Sequence, residues 1–129
     1  MAALEGTLTG GKKWASGRGT HSNSTTSFKY VSGSSLSSYY IEIGNLGFKP
    51  SIAIYWGENS NGRGVVFGMY NVNGNAYTSD PAVLYAFRYL DSNNTTYTYN
   101  IQGKFENDVL YLPIQTYEKD NVFNWIVYE

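Results

Sequence analysis

Apolar and polar positions along this chain alternate with a period of two, in short stretches set apart by turn residues, and that pattern predicts strands. Tyr39–Ile43 sets Tyr39, Ile41 and Ile43 on one face and Tyr40 and Glu42 on the other. Ile52–Trp56 aligns Ile52, Ile54 and Trp56, and Tyr97, Tyr99 and Ile101 share one face of a later strand. Further strands are predicted at Lys12–Ser16, Phe28–Ser32, Val65–Tyr70, Val109–Ile114 and Val122–Tyr128. Val83–Leu90 is the longest candidate; it is apolar on both faces and is expected to be a central strand covered on both sides. No stretch combines helical spacing of apolar positions with a cap. About nine short strands are expected, all-β, in an antiparallel β-sandwich of two sheets.

The intervening segments carry turn chemistry. Asn61-Gly62 and Asn73-Gly74 are the dipeptides that close tight hairpins, and Asn45–Pro50 is a turn ended by proline. In that turn Gly47 permits a backbone conformation closed to other residues, Phe48 anchors the core and Pro50 opens the next strand. Gly17–Ser27 and Gly33–Ser38 are polar enough to be read as loops. At 129 residues the chain fits one domain, placed at 12–129, with 1–11 as a linker.

Composition changes this picture in two ways. Aromatic residues make up 17% of the chain, with 13 Tyr, and only 15% of residues are charged. Several strands then carry rings on both faces, as at Tyr39/Tyr40, Tyr55/Trp56 and Phe123/Trp125. Aromatic area beyond the needs of one core predicts a second buried surface between subunits. Tyr, Ser, Asn and Gly together are also the chemistry of adaptable recognition surfaces.

Charge and cysteine content exclude several classes. Nine basic residues against ten acidic ones, without clusters, give no nucleic-acid footprint. With no cysteine there are no disulfides, thiolate metal sites or thiol nucleophiles. No apolar run reaches membrane-spanning length, and the start lacks the pattern of a signal peptide.

Catalytic chemistry is hard to assemble from the residues. His21 is the sole histidine, in a polar tract, and is read as an exposed loop residue. Asp91–Asn94 and Glu118–Asn121 are oxygen-rich but lack calcium-loop spacing, so they are read as polar turns. No cofactor or metal is expected, and no motif singles out a pair of carboxylates for glycoside hydrolysis. Saccharide binding needs an aromatic platform beside fixed polar groups. Trp56 with Glu58, Asn59, Asn61 and Arg63 supplies that combination most compactly, followed by Tyr70, Asn71 and Asn73. Arg88, a charge inside an apolar strand, is either a further contact or an interface charge. Trp14 and Trp125 are assigned to core or interface.

Four segments in order carry a resemblance: Lys13-Trp14-Ala15-Ser16-Gly17, Phe28-Lys29-Tyr30-Val31-Ser32-Gly33, Ile41–Ile54 and Phe123-Asn124-Trp125-Ile126-Val127-Tyr128. Together they resemble the C-terminal receptor-binding domains of phage and prophage tail-fibre proteins. In that group a strand, a Gly-Leu-Gly-Phe-x-Pro turn and a second strand recur, here as Asn45-Leu46-Gly47-Phe48-Lys49-Pro50, and the last strand carries an aromatic-x-Trp pattern. The chain is also similar to H-type lectins, trimeric sandwiches that bind sugars; no sugar-contacting residue is carried over from them. The resemblance implies a lectin-like, non-enzymatic homotrimer on the virion. It would act outside the cell, bind a host cell-surface saccharide during adsorption and contact other tail proteins, with no nucleic acid and no membrane insertion. The alternatives are a structural tail or baseplate component making only protein contacts, a cellular lectin, and a carbohydrate-degrading tail protein.

Overall fold

The computed structural model describes residues 3–7, 11–58, 64–89, 96–114 and 122–129, and every regular element among them is a strand. In chain order these are β1 (Ala3–Thr7), β2 (Lys13–Thr20), β3 (Thr26–Lys29), β4 (Ser35–Ile43), β5 (Ile52–Glu58) and β6 (Gly64–Asn71). They continue with β7 (Ala82–Tyr89), β8 (Thr96–Gln102), β9 (Lys104–Glu106), β10 (Val109–Ile114) and β11 (Val122–Tyr128). A seven-stranded sheet has the order β1-β2-β11-β5-β6-β7-β8, and a four-stranded sheet has the order β3-β4-β10-β9. All the pairings are antiparallel, so the chain is the expected two-sheet, all-β sandwich.

The core lies between the sheets and is built by alternation. The large sheet contributes Ala15, Ala53, Tyr55, Val66, Tyr70, Val83, Tyr85, Phe123, Trp125 and Val127; the small sheet contributes Phe28, Ile41, Ile43, Leu110, Leu112 and Ile114. Tyr55 ties the two layers: its buried hydroxyl donates to the Pro113 carbonyl at 2.7 Å. Gly68, its cross-strand partner, makes room for that ring, since a Cβ there would sit inside contact distance of the phenol. Burial, helped by neighbouring Tyr85, pushes the Tyr55 hydroxyl well above its ordinary pKa. On the same face Tyr85 stacks on Tyr99, with ring centroids 4.8 Å apart.

Several expectations need correction. Ala3–Thr7, read as linker, is the edge strand β1 paired along β2. The polar tract does not stay a loop: β2 runs to Thr20 because Gly17 and Gly19 stand opposite Trp125 and Phe123 of β11. Strand β4 likewise starts at Ser35, inside the predicted loop, through pairing with β3. Phe123 and Trp125 share the core face instead of splitting between faces. Strand β7 is covered on one side only within the chain, with Val83 and Tyr85 buried while Leu84 is 37% exposed. Strand β9 was missed, because its turn uses Asn107 and Asp108, both at positive φ, in place of the Asn-Gly signal.

Candidate functional site

The residue period of two that fills the core from one side of the large sheet leaves a largely apolar set on the other. Directly paired residues share a face, so the register gives this outer surface row by row. Trp14, Tyr128, Ile52 and Asn71 form one row. Leu4, Ser16, Ile126, Ile54, Met69 and Leu84 form the next. Arg18, Asn124, Trp56, Phe67 and Ala86 form the third. Six of these are large apolar side chains open to solvent: Leu4, Ile52, Trp56, Phe67, Met69 and Leu84, with Phe67 at 55% and Trp56 at 43%. Within these three rows Arg18 is the one charged residue, and the next row of the register, Thr20, Val122, Glu58, Val65, Arg88 and Thr96, holds two more at the rim of the patch.

The predicted binding residues separate on this scaffold. Trp56 projects from the outer face beside Phe67 and Asn124. Tyr70 points the opposite way and is 2% exposed, with its ring against Gly103; it is a core residue with no surface for a ligand. Burial raises its pKa above the ordinary value. Asn71 and Asn73 lie at the far end of the β5–β6 pair, where Asn71 is in register with Ile52. Asn71 Oδ1 accepts the Asn73 N–H at 2.9 Å, which closes a turn. Trp56 and Asn71 are four strand positions apart in register, about 14 Å at the usual rise. Glu58 pairs through its backbone with Val122 and Val65, and Arg88 with Val65 and Thr96; their side chains lie outside the described part. Asn59, Asn61 and Arg63 lie outside the described residues.

A concavity lined by described residues lies elsewhere, against the small sheet. The connection from β4 to β5 and the β9–β10 hairpin enclose an open cleft of about 760 Å³. Phe48 and Phe105, both half-buried against the core, line it together with the exposed Asn45, Lys49 and Asp108. Its two walls have defined backbones: Asn45 (φ 55°) and Gly47 (φ 72°) on one, Asn107 (φ 52°) and Asp108 (φ 62°) on the other. Asn and Asp tolerate the left-handed region through local hydrogen bonding, and glycine does so freely. Asn45 is also a wall of a second cleft, about 380 Å³, that reaches His21, Ser22 and Glu42. His21 is half-buried there, its ring 5.0 Å from that of Tyr39, and is not the free loop residue expected.

The sequence marked the Asn45–Pro50 turn only as architecture, and β9 not at all. The partner wall of the cleft was therefore invisible to pattern reading. Among the described residues no group of three or more metal-ligating side chains converges, and no helix is long and apolar enough to cross a membrane. The fold defines the class, a two-sheet antiparallel sandwich. No family model, curated protein or solved structure matches the chain.

Proposed function

We propose that this chain is a non-enzymatic receptor-binding domain of a phage tail fibre, a lectin-like homotrimer on the virion that recognises host cell-surface carbohydrate. The resemblance of its ordered motifs motivates the reading. The observation that supports it is the outer face of the large sheet, which has the composition of a subunit interface. Trp, Phe and Met are the residues enriched in such interfaces, and charged residues are depleted from their centres.

The occupant we assign to this face is further copies of the same chain. Five strands about 4.8 Å apart and three rows about 6.8 Å apart cover ~500 Å² on each copy, or about 1,000 Å² over two facing copies, the lower bound for a specific interface. A formal net charge of −1 opposes association only weakly. The alternative, a structural tail component making only protein contacts, would place another tail protein on the same face.

Light scattering after size exclusion tests the assembly. The expected mass is three times 14.4 kDa, falling to a monomer in the double variant Trp56→Ser/Phe67→Ser with the strand signal in circular dichroism retained. A wild-type monomer would sink the trimer and favour a partner of another kind. Release of reducing ends from a bound polysaccharide would replace the non-enzymatic reading with a carbohydrate-degrading one.

A further inference from the structure

If copies of the chain meet on the outer face of the large sheet, Trp56 is covered by assembly and a soluble ligand needs another site. We infer that the groove formed by the two clefts sharing Asn45 is the saccharide site, and that it takes a neutral glycan at least two sugar units long. This rests on the carbohydrate reading above. It adds the location, the class and the minimum length of the ligand.

Position comes first. The residues lining the larger cleft, Asn45–Lys49, Phe105 and Asp108, belong to the small sheet and its connections, none to the large sheet. The larger cleft therefore stays open when the large sheets are covered, while the smaller one takes Thr20, the last residue of β2, into its lining. At about 760 Å³ for the larger cleft alone, it falls within the size of small-ligand sites.

The lining supplies both halves of sugar recognition. Phe48 and Phe105 rest on the core and leave part of each ring at the cleft, an apolar surface for the C–H face of a pyranose. Asn45 offers an amide donor and acceptor, Asp108 two acceptor oxygens, and Lys49 a donor, a set suited to vicinal hydroxyls. The β9–β10 wall is a two-residue turn closed by the pairing of Glu106 with Val109, so ordering it on binding costs little.

Length and charge narrow the ligand class. Asn45 borders both clefts, so a glycan seated against it in the larger one has Ser22 and Glu42 of the adjoining cleft to meet a second sugar unit. Along the two clefts Glu42 and Asp108 supply two carboxylates against the one ammonium of Lys49, with the His21 imidazole as a further polar group. A phosphate-rich polymer would meet repulsion there, whereas hydroxyl groups find acceptors.

The test uses the intact domain and an immobilised panel of bacterial cell-wall and capsular polysaccharides, some neutral and some phosphate-bearing. The variant is Asn45→Gly/Asp108→Gly. It removes both polar side chains where the backbone is already left-handed, so glycine introduces no strain. We expect retention of a neutral polysaccharide by the wild type. In the variant its affinity falls at least tenfold, with mass and thermal midpoint preserved. Wild-type affinity in the variant would overturn the groove while leaving the carbohydrate reading intact. Retention of no member of the panel would overturn that reading and the groove together. Retention of phosphate-bearing polymers alone, competed by inorganic phosphate, would overturn the neutral class.

Discussion

Replacing Tyr55 by Phe removes a single oxygen that joins the two sheets, and the resulting loss of stability is expected to shrink from neutral to alkaline pH. The hydroxyl is fully buried and donates to the Pro113 carbonyl at 2.7 Å. Its loss forfeits a hydrogen bond worth about 1 kcal/mol net and strands a buried acceptor, which costs about 1–3 kcal/mol. The ring remains, with its packing against Gly68. We therefore expect Y55F to lose about 2 kcal/mol at pH 7. With ~2.1 cal/mol/K per residue of unfolding entropy, that loss lowers Tm by about 7 °C in a chain of 129 residues.

Above pH 10 the variant should gain ground on the wild type. Tyr55 is held well above its ordinary pKa by burial and then by Tyr85, while in the unfolded chain it ionises near pH 10. A raised folded-state pKa means its contribution is complete below the unfolded value and is lost as pH climbs towards the folded one. In that window each such tyrosine lowers stability by about 1.4 kcal/mol per pH unit. Tyr70, also raised by burial, adds to the same alkaline slope. Y55F should therefore start lower at pH 7 but decline less steeply above pH 10, by the slope of one proton. Urea denaturation from about pH 7 to pH 11 reads both effects. Protein concentration is held fixed because association contributes to stability. A variant as stable as wild type at pH 7, with an unchanged alkaline slope, would refute a buried, donating hydroxyl.

Two further substitutions probe connections around the core. Gly74→Ala places a side chain at φ 86° and inside contact distance of the Thr78 carbonyl, so the β6–β7 connection must shift. We expect a loss of about 2 kcal/mol or more in urea denaturation, and a loss below 0.5 kcal/mol would show that the turn is not held as described. Lys104 Nζ donates to Thr26 Oγ1 at 3.0 Å and to the Ser27 carbonyl at 3.2 Å, and lies over the Phe28 and Tyr111 rings. Lys104→Met keeps the stem and removes these contacts. It should cost about 1 kcal/mol and speed amide exchange in β3 and β9, and unchanged protection there would contradict a bridging role.

The strand character of this chain was legible because alternation is local. Ile41 and Ile43 lie inside and Glu42 outside, as the pattern in β4 required. The excess of aromatic side chains was equally legible, and it emerges as the exposed face carrying Trp56 and Phe67. Which face of β5 turns inward was not legible, because both are apolar. Ile52, Ile54 and Trp56 make the more hydrophobic set, yet Ala53 and Tyr55 are the buried ones. The choice depends on Gly68 across the strand pair, which alone leaves space for the Tyr55 ring, and on the Pro113 carbonyl from the other sheet.

The same limit separates the candidate sites. Tyr70 and Asn71 are adjacent in sequence, but pairing with Ala53 and Val83 turns Tyr70 into the core while Asn71 closes a turn. Asn45 and Asp108 stand far apart in the chain and line one cleft because β4 and β9 flank β10 in the small sheet. Alternation and turn chemistry act over a few residues, so strand formation and approximate strand positions can be read along the chain. Pairing and packing act between distant segments, and only they decided which faces meet, which ring fills which gap and which polar groups share a groove.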